Sequence, residues 1–272
     1  MKKLTRFLIG GAVVLCNLAA QPAKPPAETE MRPLGLVGGV SWLSTVDYYQ
    51  VINKAVNNAY GNNTNPPLLV FTLNQRRIHE LQAKGDWSEI ARLISDAVAR
   101  LAAAGAQGAI LCSNTAHMVY GEVAPTTTIP ILHIADATGQ AIRAKGLKRV
   151  GLIGTKFTME ERFYLDWLMQ KFEIESVVPD NAADREELTR IIQRELAREV
   201  FKPESKAFVL AEIAKLQRRG VEGIVLGCTE FPLIIKQADV ALPVFDTTAL
   251  HAEMAVRFIL RQDAPAGAPA KR

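Results

Sequence analysis

The feature that most restricts this chain is that it repeats itself. The run GLVGG from Gly35 returns as GLIGT from Gly151, 116 positions on. AAGAQGAILCS, ending at Ser113, returns as RRGVEGIVLGC, ending at Cys228, 115 positions on, and IPIL from Ile129 is matched by LPVF from Leu242, 113 positions on. Three blocks in one order at nearly constant spacing imply two copies of one supersecondary plan. Within each copy, short β-rich runs alternate with amphipathic stretches. The runs are 33–37, 68–73, 108–112 and 129–133, then 149–153, 174–178, 223–226 and 242–245. Near-continuous apolar strands between helices predict an α/β fold. It has two similar domains with parallel sheets covered by helices, related by a pseudo-twofold axis, with the active site in the cleft between them.

The ends of the chain read differently. Met1–Gln21 has a basic start, an apolar run over 7–16 and small residues at Ala19 and Ala20. This predicts a signal peptide over 1–20 and export to the periplasm, the apolar run being too short for a membrane anchor. The alternative is translation from Met31, which makes the protein cytoplasmic. A Pro/Ala/Glu linker follows over 21–31, and a disordered tail rich in Ala and Pro over 261–272. The body divides into a first domain of 32–134 plus 243–260 and a second of 135–242. Formal charge is +4, but Lys2, Lys3 and Arg6 lie in the leader. The remaining charge of about +1 is too small for a nucleic-acid footprint. Three cysteines exclude a disulfide scaffold, and no metal-ligating constellation stands out.

In open α/β sheets ligands bind at the carboxyl ends of the strands. Ser113 and Cys228 follow equivalent strands, so two facing sheets would bring them to one ligand from opposite sides. That suits a reaction with mirror-related faces, such as removing and returning an α-proton of an amino acid. A thiolate serves as the base, and a helix N-terminus at Cys228 would favour it.

SNTAH (113–117), GCTE (227–230) and GGVSWLST (38–45) resemble the cofactor-independent aspartate/glutamate racemase family over about 32–260. The resemblance implies two α/β domains, no cofactor, a small amino-acid substrate and a homodimer. It makes Cys228 the base of the second domain. Asn114, Thr115 and Thr229 then hold the substrate carboxylate and amine, with the backbone N–H groups of Gly39, Val40 and Ser41, and Thr155 adds a polar contact. The family's first motif is CNTAH, and here Ser113 replaces its cysteine. Cys112 does not substitute for it, because strand alternation turns it the other way into the core. A hydroxyl is a far weaker acid than a thiol, so exchange biased to one enantiomer is expected.

Plainer roles stand beside these. Cys228 could be an inert buried thiol and Ser113 a helix cap. His117 could orient a catalytic group or be a satisfied helix histidine. Glu230 could accept the Cys228 proton or place charge in a first turn. His79, His133 and His251 default to structure, and Trp42, Tyr48 and Tyr49 to the core of the first helix. Arg76 and Arg77 are candidates for a distal carboxylate. Other functional classes compatible with the sequence are a single-cysteine decarboxylase or isomerase on the same scaffold, and an exported amino-acid-binding protein without turnover.

Overall fold

The computed structural model of the protein describes residues 30–262. The leader, the linker up to residue 29 and the tail beyond Gln262 lie outside the described residues. Met31 is buried against Leu34 and Tyr48, so packing begins inside the expected linker.

The first sheet contains β1 (Leu34–Gly38), β2 (Leu68–Thr72), β3 (Gly108–Leu111) and β4 (Ile131–Leu132) in the order β2-β1-β3-β4. The second contains β5 (Arg149–Gly154), β6 (Glu175–Val177), β7 (Gly223–Gly227) and β8 (Val244–Asp246) in the order β6-β5-β7-β8. All pairings are parallel, and each strand of the second sheet holds the place of the strand four earlier. The repeat in the sequence is therefore a repeat in the fold.

Helices follow the strands as the periodicity requires. In the first half they are α1 (Trp42–Tyr60), α2 (Gln75–Lys84), α3 (Trp87–Ala103), the single turn α4 (Tyr120–Val123) and α5 (Ile134–Ala144). The second half has α6 (Lys156–Glu160), α7 (Arg162–Phe172), α8 (Ala182–Arg194), α9 (Pro203–Arg218), α10 (Phe231–Ile234) and α11 (Thr247–Ile259). Helix α3 shows the local logic. The Asp86 carboxylate caps its start by accepting from the Glu89 N–H, and Ile90, Ile94, Ala97, Val98 and Leu101 bury one face.

Strand alternation sorts the core into layers. Ala109 and Leu111 face α3 on one side of β3, whereas Ile110 and Cys112 pack with Leu34, Leu36 and Tyr48 on the other. In β7, Ile224 and Leu226, with Cys228 just past its end, face α8 and α9, and Val225 faces the other way with Val150 and Leu152. Cys112 therefore is a core residue, and Ser113 and Cys228 continue equivalent faces of equivalent strands.

The halves also exchange their last helices. Helix α5 packs on Val150, Leu152 and Tyr164 of the second lobe, while α11 packs on Leu34, Leu36 and Ile52 of the first. The return to the first lobe begins at α11 and not at residue 243, because Val244–Asp246 pairs with β7. Both exchanged helices start at equivalent caps. His133 Nδ1 accepts from the Ala135 N–H, and Asp246 Oδ1 from those of Thr248 and Ala249. Helix α1 buries Tyr48, Ile52 and Val56, and its opposite face carries Trp42, Val46 and Tyr49 at about half exposure. Trp42 and Tyr49 are thus surface residues, against expectation, because the helical period puts only Tyr48 of the three on the inner face.

Candidate active site

In each sheet the chain reverses its winding direction between the first and third strands, at the junctions β1/β3 and β5/β7. Crevices open at such switch points, beyond the carboxyl ends of the strands. The loops leaving β1, β3, β5 and β7 carry the four polar segments singled out in the sequence. They meet at a cavity of about 520 Å³ between the lobes. Val40, Ser41, Ser113, Asn114 and Thr115 line it from the first lobe, and Thr155, Cys228, Thr229 and Glu230 from the second.

Cys228 is buried and its Sγ donates to Glu230 Oε2 at 2.8 Å. Thr229 Oγ1 donates to the same oxygen at 2.8 Å, and Ser44 Oγ, from the other lobe, hydrogen-bonds Thr229 Oγ1. Since the Thr229 proton is committed to Glu230, Ser44 is the donor in that contact. Burial pushes the Cys228 thiol well above its ordinary value, and the charge of Glu230 and the hydrogen bond to it push the same way. The expected thiolate at a helix N-terminus is therefore not the resting state. Helix α10 is one turn long, with Glu230 at its cap position and no side-chain cap, too short for much of a dipole.

The pair nevertheless has a route to a thiolate. Moving the proton from Sγ to Oε2 yields a thiolate beside a neutral acid, at unchanged total charge. No second anion has to be accommodated.

Ser113 is half-buried, and its hydroxyl makes no hydrogen bond among the described residues. It caps no helix. Asn114 holds the cap position of the 3-10 turn Thr115–Val119, without a side-chain cap. His117 holds the Ser113 main chain in place. Its Nε2 accepts from the Ile134 N–H at 3.2 Å, which makes Nδ1 the protonated nitrogen donating to the Ser113 carbonyl at 2.9 Å. Burial lowers the His117 pKa to about 4, keeping the ring neutral, and it does not line the cavity. It is a positioning residue for the Ser113 backbone.

Asn114 Nδ2 donates to Thr247 Oγ1 at 3.0 Å, while its Oδ1 is buried without a partner. Thr115 and Thr155 approach one another across the cleft, Oγ1 to Oγ1, at 3.4 Å. Thr155 also caps α6 by accepting from the Thr158 N–H. The Gly39 N–H is spoken for, donating to Thr45 Oγ1 at 2.9 Å, and Gly39 does not reach the cavity. Its requirement is conformational: φ is +86°, and a Cβ would stand 2.1 Å from the Leu73 carbonyl oxygen. Val40 and Ser41 alone of that loop meet the cavity.

The sequence profile of the Asp/Glu/Hydantoin racemase family matches residues 37–255. The chain belongs to that family. A Yersinia pestis protein provisionally described as an Asp/Glu racemase is 41% identical, with a TM-score of 0.79, covering 85% of this chain and 100% of its own. An aspartate racemase homologue from Pyrococcus horikoshii is 33% identical, with a TM-score of 0.74, covering 84% and 99%. A Haemophilus influenzae glutamate racemase is 28% identical over 137 residues, 49% of this chain and 48% of that one. The chain thus matches about half the length of that curated relative.

Several residues of this family member's cleft were not legible in the sequence. Ser44 is one. His79, set aside as structural, lines the cavity with Gln75 and Gln82 on α2. Arg76 and Arg77 instead pair with Glu80 and Glu89 on the surface, and neither lines it. The cations that do are Arg194 and Arg198. His133 and His251 join His117 in a buried cluster, with ring centroids 4.6 and 5.7 Å from His117. No segment of sequence could show that group, since it forms only when α11 returns to the first lobe. Among the described residues no cluster of His, Cys, Asp or Glu suits a metal ion.

Proposed function

We propose that the chain is a cofactor-independent racemase of aspartate or glutamate, with exchange biased to one enantiomer. The observation that supports it best is that Cys228 and Ser113, from equivalent positions of two lobes, open on one cavity. In this reading the substrate lies with its α-carbon between them. Cys228 passes its proton to Glu230 and takes the α-proton from one face. The resulting carbanion is flat, its charge delocalised into the substrate carboxylate, which the hydroxyls of Ser41 and Thr115, two residues lining the cavity, stabilise, that of Thr229 being committed to Glu230. The unpartnered Asn114 Oδ1 accepts from the substrate ammonium.

Return of a proton from Cys228 restores the starting enantiomer with its α-hydrogen exchanged. Delivery from the Ser113 side completes racemisation and is slow, because an alcohol is a poor proton donor. The test is α-deuterium incorporation into L- and D-aspartate and L- and D-glutamate in heavy water, followed by NMR. One enantiomer is expected to exchange faster than it racemises, Cys228→Ala should abolish exchange, and Ser113→Cys should raise racemisation. Unchanged turnover in Cys228→Ala overturns the reading.

Export and a homodimer complete the proposal, resting on the leader and on the family resemblance. N-terminal sequencing of the mature protein and light scattering test them.

A further inference from the structure

The Ser113 hydroxyl makes no hydrogen bond among the described residues, so its place in the cleft is set by its main chain. The Ser113 N–H donates to the Leu111 carbonyl at 2.8 Å, and the Ser113 carbonyl takes the His117 Nδ1–H. His117 rests in turn on the Ile134 N–H, which its Nε2 accepts. Whatever fixes Ile134 therefore bears on Ser113.

Ile134 ends the short segment 132–134, where β4 gives way to α5 and the chain leaves the first lobe for the second. The middle residue, His133, lays its ring flat on the Trp167 indole of α7, with centroids 3.8 Å apart. The first, Leu132, is held through its carbonyl, 2.9 Å from His251 Nε2 on α11. A carbonyl only accepts, so the His251 proton sits on Nε2. Burial keeps that ring neutral, which leaves Nδ1 a lone pair, and the Tyr48 hydroxyl of α1 donates to it at 2.9 Å. Tyr48 thereby selects the tautomer that holds Leu132. Tyr48 and His251 are both fully buried. The bonds run one way, from Tyr48 through His251 to Leu132, and from Ile134 through His117 to Ser113.

The second lobe shows what the same lock looks like without this extension. Tyr48 recurs as the equally buried Tyr164, 116 positions on. Tyr164 donates to Thr138 Oγ1 at 2.9 Å, and Thr138 stands on α5 where His251 stands on α11, 113 positions apart. Thr138 has no tautomer to choose. It returns its proton to the Ile134 carbonyl at 3.1 Å, one turn back in its own helix, and the path closes inside α5. His117 likewise corresponds to Pro232, 115 positions on, which has no side-chain donor. Each lobe thus fastens an exchanged helix with a tyrosine, but only the lobe that presents an alcohol carries the fastening on to its cleft residue. Cys228 has Glu230 beside it as a direct partner, whereas Ser113 has placement alone. A misplacement of about 1 Å can cost on the order of 10²-fold in rate.

We infer that Tyr48 and His251 are positioning residues for proton delivery from the Ser113 side, acting through the segment 132–134 and His117. This rests on the racemase reading and deepens it, tying one of the two faces of the reaction to α11.

The experiment measures both faces at once. The full protein and its variants are incubated with L- and D-aspartate and L- and D-glutamate in heavy water. NMR follows α-deuterium incorporation, and chiral chromatography follows formation of the opposite enantiomer. In Tyr48→Phe, which loses one oxygen, racemisation should fall about tenfold or more through kcat, with KM unchanged and exchange from the Cys228 side kept within about twofold. His251→Leu, without a donor, should behave alike, and His251→Gln, whose amide can still donate to Leu132, should recover most of the loss. Tyr164→Phe removes the matching bond of the other lobe and should leave the ratio of racemisation to exchange at the parent value. Equal falls of both rates in Tyr48→Phe, no change there, or the same change of ratio in Tyr164→Phe overturns the inference and leaves the racemase reading standing. If the parent protein racemises none of these amino acids, that reading fails, and NMR of the ¹⁵N-labelled protein decides the inference. Shifts of the Asn114 amide and the His117 Nδ1–H in Tyr48→Phe but not in Tyr164→Phe sustain it, and unmoved signals end it.

Discussion

Glu230→Gln separates catalysis from folding at one atom. Oε2 accepts both the Cys228 thiol and the Thr229 hydroxyl, each at 2.8 Å. Glutamine has the same shape and keeps an amide oxygen to accept one or both, but it cannot take a proton. If the carboxylate receives the Cys228 proton, its loss removes a general base, an effect worth about 10²–10⁴ in rate. At about 1.36 kcal/mol per tenfold that is roughly 2.7–5.4 kcal/mol of barrier. Stability moves the opposite way. Glu230 is buried, no cation pairs with it among the described residues, and its charge acts on Asp47. Neutralising it relieves that repulsion, and repairs of this kind yield about 0.5–2 kcal/mol. For a chain of this size each kcal/mol raises Tm by about 2–4 °C. The assay pairs α-deuterium incorporation at substrate saturation with thermal unfolding. Exchange falling at least a hundredfold with Tm unchanged or higher is the expected result. Exchange kept within threefold would refute the proton transfer. Parallel loss of activity and Tm would make Glu230 a structural cap instead.

Three other perturbations probe the turn after β1, the buried histidines and the Cys228 thiol. Gly39→Ala sets a methyl group against the Leu73 carbonyl at a φ of +86°, and should cost at least about 2 kcal/mol. Urea unfolding measures it, and a midpoint like the parent's would contradict the geometry. Burial depresses His117 to about 4 and His251 to about 3, against about 6.5 in the unfolded chain. Between these values the unfolded state binds more protons, so stability is full above pH 6.5 and falls as pH drops toward 4. By pH 5 each should have lost on the order of 2 kcal/mol, and a flat urea midpoint from pH 7 to 5 would count against a neutral cluster. Cys228, protonated and buried, should react with a disulfide reagent far more slowly than a free thiol. A fast, stoichiometric reaction at pH 7 would show a thiolate already present.

The repeat made the fold legible because it is physical: the same strand order, the same switch points and even the same cap positions recur. Ser113, Asn114, Thr155 and Cys228 could be found for that reason, since each follows the end of a strand next to a switch point. What escaped was everything set by contact between the lobes. Ser44 lies inside the GGVSWLST run, but its contact with Thr229, 185 residues away, has no local signature. Arg76 and Arg77 had the right sequence position after β2, but the turn of α2 carries them to the surface, where Glu80 and Glu89 hold them. Arg194 and Arg198 lay in a stretch with no motif. Cys228 was found in place but misjudged in state, because α10 proved one turn long and Glu230 replaced a helix dipole as its partner.

The same superposition of halves shows that the site is more lopsided than one serine for one cysteine. Ser113, Asn114 and Thr115 correspond in order to Cys228, Thr229 and Glu230. The first lobe therefore lacks the thiol and also the carboxylate that receives its proton. Thr115 occupies the equivalent of Glu230, and its hydroxyl is turned to Thr155. A Ser113→Cys protein gains a thiol with no acceptor beside it. Its racemisation should rise, yet stay short of the rate at which Cys228 exchanges the α-proton, by about the 10²–10⁴ that a general base contributes. Equal rates on both faces in Ser113→Cys would mean that a lone thiol suffices, and Glu230 would lose its role at Cys228 by the same measurement.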